Sequence, residues 1–438
     1  MAEVYDLLFG GPGKESLAGC KDIILQATQA LLTNDVDEHA LFDYGPAVGD
    51  PEVRHQLAEF LKIQYNDNVE SDNLFITAAA TQGIHLATTV LMSKDAPIFV
   101  EDPTFFIAHG MFQRDYERRV IPVQTDDDGI DLDVFERLLQ ETPAPTETKY
   151  PFRRMLYVMT VHHNPKGSCL PPEKCRRLVY LARKYDVLLF GEDVYDLLTY
   201  TEDGVPPLRL LAYDNKEDPD YRGHTISNCT FSKIFSPGLR LGWIETSPRI
   251  IQMLRDCYTT ASGFCFNHYV SRVVGKALEL GLVQTNLARL RKLYGEKIRA
   301  ACRRLRENQT PVSFMEPKGG FFLWLKLPEN INGEKFQEKA KAENLLVMAG
   351  SQASMCGNYK NFIRISISVI PRDKIEQGMD KLSELIRSFM PDDNTDYLRQ
   401  RASAYRSSYH YCITTANAKH VPVLCFIYHD DLLAGIGN

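Results

Sequence analysis

The sequence predicts an α/β protein: a large domain on a mostly parallel sheet with helices over both faces, then a smaller α+β domain. Three observations carry this. The runs PIFVED, RMLYVMTV and DVLLFGED are apolar without polar alternation and are separated by helix-like segments, as in parallel strands buried on both sides. The text between Trp243 and Asn308 is mostly helical, in two long amphipathic segments. A second β-rich region follows, KGGFFLWLKL, LLVMAG and NFIRISISVI, in which Ile363, Ile365 and Ile367 alternate with Arg364, Ser366 and Ser368. That alternation predicts Arg364 on the side of its strand away from the core. The boundaries drawn are an N-terminal arm over 1–45, a large domain over 46–275, a small domain over 276–391, and an extension over 392–438 that receives no function.

Composition excludes several classes. Hydrophobic residues make up 44% and charged residues 24%, the profile of a soluble globular protein. The net charge of -7 leaves no broad basic field for nucleic acid, and the basic run from Arg289 to Arg306 reads as the solvated face of a helix. No apolar run approaches the ~20 residues of a membrane span. The N-terminus has neither the apolar stretch of a secretory signal nor the Arg-rich look of a transit peptide. Ten cysteines form no C-x-x-C pair, and the closest two, Cys169 and Cys175, lie six apart, which favours reduced thiols in the cytosol. His162 and His163 are adjacent, without helical ligand spacing, so no metal is expected.

In chain order, the arm carries one short helix around 18–32. DYGPAVGDPEV then leads into a helix with Val53, Leu57, Phe60 and Leu61 on one face. NLFIT, AAATQG and IHLATTVLM form a strand-turn-helix unit whose small residues let backbone N–H groups approach an anion. PIFVEDPTFF is a strand ended by Asp-Pro, DGIDLDVFERLLQ a turn with an acidic helix start, and RMLYVMTVHHNPKG a strand ending at Asn-Pro. PPEKCRRLVYLARKY is a helix opened by proline. DVLLFGEDVYDLL is a strand with Glu192, Asp193 and Tyr195 at its end, and RDKIEQGMDKLSELIRSFM a closing helix.

The chemistry concentrates in NCTFSKIFSPGLRLGW. Thr230, Ser232 and Lys233 stand together, and Arg240 comes seven residues after the lysine. Alone, the stretch fits a surface loop with two solvated cations better than a site for an anionic group beside one reactive nitrogen. Its surroundings separate the two readings. Ligands of parallel sheets sit at the strands' carboxyl ends, and the AAATQG turn, Phe105, Asn164 and Asp193 all fall at such ends.

In this order and spacing, NPKG, GEDVY, TFSK, SPGLR and FIRIS resemble the motifs of the fold type I, pyridoxal-phosphate-dependent aminotransferases of class I/II, over about residues 40–390. The subgroup most similar contains 2-aminoadipate and kynurenine aminotransferases and the aminotransferase-like half of certain bacterial regulators. The resemblance implies an aspartate aminotransferase-like fold and pyridoxal 5'-phosphate as cofactor. Lys233 matches the lysine that carries the cofactor as an aldimine; a lysine among apolar and cationic neighbours supplies the uncharged amine this requires. Asp193 matches the carboxylate under the pyridine nitrogen, Tyr195 and Asn164 the two partners of the ring hydroxyl, and Phe105 the aromatic stacked on the ring. Phe106 competes for that last role, and core packing suits it better. Thr230, Ser232 and Arg240, with the backbone N–H groups of Ala80 and Thr81, match the phosphate cradle. Here the chain departs from the subgroup, whose Gly-Ser-Gln is replaced by Ala79-Ala80-Thr81. Tyr44 resembles the tyrosine that reaches a neighbouring subunit's phosphate, which implies a homodimer with shared sites. Arg364 matches the arginine that clamps the substrate α-carboxylate through two parallel hydrogen bonds, with Asn164 beside it.

The implied activity is transfer of an amino group from an α-amino acid (2-aminoadipate, kynurenine, aromatic or large aliphatic) to a 2-oxo acid such as 2-oxoglutarate, by a ping-pong route in the cytosol. Two alternatives share the cofactor: a cysteine-conjugate β-lyase or other eliminating enzyme, and a non-catalytic regulatory protein.

Overall fold

In the computed structural model, residues 3–33, 37–146 and 149–390 are described; the extension at 392–438 lies outside them. The strands in chain order are β1 (Tyr5–Asp6), β2 (Leu74–Thr77), β3 (Ile98–Asp102), β4 (Val120–Asp126), β5 (Gly129–Ile130), β6 (Arg154–Val158), β7 (Val187–Glu192), β8 (Thr225–Thr230), β9 (Gly242–Thr246), β10 (Phe322–Lys326), β11 (Leu345–Leu346), β12 (Met348–Ala349) and β13 (Phe362–Ser366). The large sheet runs β2-β9-β8-β7-β6-β3-β4-β5. Its five central strands pair in parallel from β8 to β4, and β9 is antiparallel to both its neighbours. The absence of polar alternation has the predicted cause. Ile98 and Val100 pack with Leu188, Phe190 and the helix Ala80–Val90, while Phe99 packs with Leu189 and the helices Leu132–Glu141 and Pro172–Tyr185 on the other face.

Two neighbours of β3 fix where a ligand can sit. The chain runs from β3 to β4 on one side and returns as β6 on the other, so a crevice opens at the carboxyl ends of β3 and β6. The loops after β2, β3, β6, β7 and β8 all leave from that edge.

The small sheet is β10-β13-β12, antiparallel throughout, with Trp324 and Met348 both opposite Arg364. Ile363, Ile365 and Ile367 are fully buried, as their alternation requires, but Arg364, Ser366 and Ser368 are buried too. The polar face is covered by the arm. Its β1 pairs in parallel with β11, Ser366 N–H donates to Leu7 O (2.8 Å), and Ser368 Oγ donates to Phe9 O (3.0 Å).

Several expectations need correcting. The arm is ordered by three helices, Lys14–Leu17, Cys20–Thr33 and Glu38–Phe42, as well as β1, so one helix around 18–32 understates it. The two helical segments after Trp243 are four helices, Pro248–Asp256, Tyr258–Gly263, His268–Glu279 and Leu282–Glu307. Extended backbone at Cys257 and a left-handed Gly281 (φ 72°) interrupt them. The basic run on the last of these is only partly solvated. Lys297 is buried and donates to Ile370 O (2.7 Å) and pairs with Glu15, and Arg289 donates to Glu15 O and Ser16 O, tying the arm down. Strand β4 was not read because Pro122 interrupts it and most of it is only half-buried. Residues up to Arg387 pack as one compact unit. The boundary drawn at 275/276 cuts the helix His268–Glu279; we propose Gly281 as the division between the sheet-bearing parts.

Beside the large sheet, Arg209 is buried with a bidentate pair to Glu245 (2.8 and 2.6 Å), a third bond to Asp67 (2.7 Å), and its guanidinium 4.6 Å from the Tyr65 ring centroid. Removing one member of such a pair strands a buried charge, at about 3–5 kcal/mol. Arg209→Met is therefore expected to lower unfolding free energy by about that amount in urea titrations at pH 7, and an unchanged midpoint would refute this role.

Candidate active site

Strand β8 and the turn after it position the first group of residues. Phe231, Ile234 and Phe235 are buried around Lys233, and the chain turns through Pro237–Leu239 to a left-handed Arg240 (φ 46°). Lys233 Nζ donates to Gly10 O of the arm (3.1 Å) and lies 5.8 and 5.9 Å from the Tyr195 and Phe321 ring centroids. Burial pulls the amine down to about 8; Glu192 opposes this, while Arg240 and Arg364 reinforce it. Thr230 Oγ1 lies 2.9 Å from Ser232 Oγ and accepts from Ser232 N–H (3.0 Å), and Arg240 reaches to 3.5 Å from Ser232 Oγ. The three proposed phosphate ligands of this loop thus form one cluster.

The helix Ala80–Val90 begins at Ala79, which has φ 66° and gives no side-chain cap. A left-handed alanine is costly unless the surroundings demand it. Here the backbone is pressed against β9, since a Cβ on Gly242 would stand 2.9 Å from Ala79 Cα. Ala80 and Thr81 occupy the first turn, where helix N–H groups have no partner within the helix. Asn228 Nδ2 ties this turn to the sheet by donating to Ala80 O (3.1 Å) and to Glu192 Oε2 (3.0 Å). Burial pushes the Glu192 carboxyl up to about 8.

Asp193 follows β7, its N–H bonded to Asn228 O (2.9 Å). Ser227 Oγ donates to its Oδ2 (2.5 Å), and its Oδ1 is buried without a hydrogen-bond partner. Burial pushes the carboxyl up to about 6, against the Ser227 bond and the Arg209 charge. Tyr195 is buried edge-on to Phe321 and Phe322, and burial raises its phenol well above the usual value. After β6, Asn164 Oδ1 accepts from Arg364 Nη1 (3.0 Å). Arg364 also donates to Leu8 O (2.7 Å), lies over Phe322 at 4.4 Å and is 4% exposed; its Nε has no partner. Burial lowers the guanidinium to about 10.

Lys233, Tyr195, Phe322, Arg364 and Asn164 are therefore linked contact by contact. Phe105, at the end of β3, packs on the large core with Phe106 edge-on against it (5.8 Å). Phe106 is 37% exposed, so core packing is not its role. Tyr44 stands apart, 76% exposed with its ring 5.4 Å from Phe264.

Sequence reasoning missed Ser227, Asn228 and the carbonyls of Leu8 and Gly10. Ser227 and Asn228 carried a readable signal, as polar side chains inside the buried strand TISNCT. Backbone carbonyls carry none.

The donor set fits pyridoxal phosphate: an uncapped helix start with hydroxyls and an arginine for a dianion, an orphaned carboxylate oxygen for a ring N–H, and a buried, weakly basic amine. Comparisons agree. The family described as "Aminotransferase class I and II" matches residues 15–382. Aromatic-amino-acid aminotransferase 1 of Thermococcus litoralis is 28% identical over 392 residues, 89% of each chain. The 2-aminoadipate transaminase of Thermus thermophilus is 27% identical over 355 residues, 79% of this chain and 82% of that one. The solved kynurenine aminotransferase of Pyrococcus horikoshii superposes with a TM-score of 0.77 at 26% identity, covering 89% of this chain and 92% of its own. A match across most of the chain, on a fold whose strand ends bring this donor set together, places the protein among the class I and II aminotransferases, as a pyridoxal-phosphate-dependent transaminase.

Proposed function

We propose that the protein moves the amino group of a large apolar, aromatic or 2-aminoadipate-like α-amino acid to a 2-oxo acid, 2-oxoglutarate among them, in two half-reactions on one site. The observation that carries this is a half-buried lysine, its amine lowered to about 8 by loss of solvent, linked through Tyr195 and Phe322 to a buried arginine pinned by Asn164. When bound, pyridoxal phosphate supplies an aldehyde and an electron-accepting ring.

The chain's own residues do the rest. Arg364 clamps the α-carboxylate; a bidentate pair with an ionised carboxylate is stronger than the single bond it makes to the neutral Leu8 carbonyl, so the substrate displaces that carbonyl. The clamp fixes the Cα–H bond toward Lys233 Nζ, which takes the proton as its base. Because Arg364 occupies Asn164 Oδ1, the amide N–H groups of Asn164 are left to join Tyr195 on the ring oxygen. Asp193 Oδ1, which has no partner among the described residues, would accept from the ring N–H, and Ala80, Thr81, Thr230, Ser232 and Arg240 would hold the phosphate, with Phe105 as the aromatic for the ring. Phe322, Trp324 and Met348 share the sheet face of Arg364, which supports a large apolar side chain.

A homodimer is supported by exposed aromatics, with Phe42 stacked on Tyr269 and Tyr44 against Phe264. Tyr44 would then serve the second copy's phosphate. The eight cysteines among the described residues are all free, which supports a reducing compartment such as the cytosol.

Three outcomes are expected. Loading of the cofactor-free protein with pyridoxal phosphate, followed by absorbance, rises as pH increases through about 8, since only the neutral amine of Lys233 attacks. A flat profile, or full transaminase activity in Lys233→Ala, would remove the assignment. Arg364→Lys keeps the charge but loses the fork, and kcat/KM over a panel of amino acids with 2-oxoglutarate should fall by about 10- to 100-fold; an unchanged KM would refute the clamp. Phe42→Glu is expected to shift the protein toward monomer in sedimentation and to lower activity in parallel, and a monomeric wild type would sink the shared-site reading.

A further inference from the structure

We propose that Ser227 is a positioning residue of the reaction: its hydroxyl holds Asp193 Oδ2 and so aims Asp193 Oδ1 alone at the ring nitrogen of the cofactor. The inference rests on the assignment of Asp193 to that nitrogen.

The backbone of Asp193 is already fixed, because Gly191 pairs with Ser227 in the parallel register of β7 and β8 and Asp193 N–H continues the ladder to Asn228 O. The carboxylate plane is not fixed by this, since rotation about the Cβ–Cγ bond of aspartate is broad and roughly two-fold. Something must choose between its oxygens. A Cβ built on Gly191 would lie 3.3 Å from both Asp193 oxygens, so the bare glycine leaves the carboxylate room and nothing to lean on.

Ser227 supplies the choice. It is fully buried, and its partners are Asp193 Oδ2 and, at 3.5 Å, Cys229 Sγ. A hydroxyl has one proton. When that proton goes to the ionised Asp193, Ser227 has none left for Cys229, whose buried thiol stays protonated and donates to Asp193 O (3.8 Å). Among the described residues, the Ser227 bond to Oδ2 is then the one side-chain bond on the carboxylate, and Oδ1 is left unfilled. The other titratable groups around the carboxylate are Arg209, Glu245, Asp196, Glu192, Tyr65 and Cys175. None of them is within hydrogen-bond reach of either Asp193 oxygen. Burial favours the neutral acid, and the Ser227 bond is the strongest effect opposing it. Loss of the hydroxyl would therefore both free the plane and favour a neutral carboxyl, a weaker acceptor than the carboxylate.

The test uses the full chain stripped of cofactor, titrated with pyridoxal phosphate and with its 1-deaza analogue, in which C–H replaces the ring nitrogen. Ser227→Ala should bind pyridoxal phosphate about tenfold more weakly than wild type, a lost bond to a charged group, yet bind the 1-deaza analogue as wild type does. Ser227→Thr, which keeps the hydroxyl, should restore affinity. Equal losses on both ligands, or no loss on either, would overturn the inference while leaving the site assignment standing. A wild-type chain that does not bind pyridoxal phosphate would overturn the assignment itself and the inference with it. Should Ser227→Ala fail to fold, Ser227→Cys, nearly the same volume with a weaker donor, carries the same two-ligand comparison.

Discussion

Burying the Lys233 amine is the constraint on which the site depends. An ammonium taken out of water loses hydration worth several kcal/mol unless it is paired or neutral. Its surroundings make neutrality the cheaper answer. Phe231, Ile234 and Phe235 wall the loop, two aromatic rings stand near 6 Å, and Arg240 and Arg364 repel a positive charge. Glu192 pulls the other way, and it is itself pushed toward its neutral form by burial, against the hydrogen bond that Asn228 donates to it. The result is an amine near the point of losing its proton at ordinary pH, which is the condition for both nucleophile and base.

Such an amine is useful only beside groups that arrive from distant parts of the chain, and the parallel sheet supplies that proximity. The strand ends deliver Asp193 and Asn164, β13 of the small sheet delivers Arg364, and each of these is half committed to the protein. Asp193 gives Oδ2 to Ser227 and keeps Oδ1; Asn164 gives its carbonyl oxygen to Arg364 and keeps its amide; Arg364 spends Nη1 and Nη2 and keeps Nε. The committed atom fixes orientation and the free atom is offered in a set direction, so little reorganisation is left for the moment of reaction.

How much of this could be read in the sequence follows from the range of the forces involved. Unbroken apolar runs identified β3, β6 and β7 because burial on both faces removes polar alternation. Strand β4, with Pro122 and mostly half-buried residues, gave no such signal. Lys233, Asp193, Asn164 and Arg364 were legible because five short motifs keep their order. Ser227 and Asn228 were visible only as polar letters in a buried strand, with nothing in the text to say which neighbour they would meet. The burial of Arg364 and Lys297 and the half-burial of Arg289 are illegible for a different reason: the arm that packs on them is more than 270 residues away in the chain, as its bonds to Arg289 and Arg364 show.

The arm also supplies a hydrogen-bond partner to each of the two basic groups. Gly10 O takes a bond from Lys233 and Leu8 O one from Arg364. A carbonyl dipole satisfies a buried donor without matching the pull of a carboxylate, so each basic group is satisfied without being held in its charged form by an anion. Glycine is required at position 10 for this, because a Cβ there would fall 2.7 Å from the Phe322 ring, the same ring that lies under the Arg364 guanidinium. The flanking anchors, β1 on β11 and Leu7 on Ser366, hold the arm in register while the carbonyls of residues 8 and 10 face the site. The segment least readable from sequence thus determines the resting state of the two most readable residues.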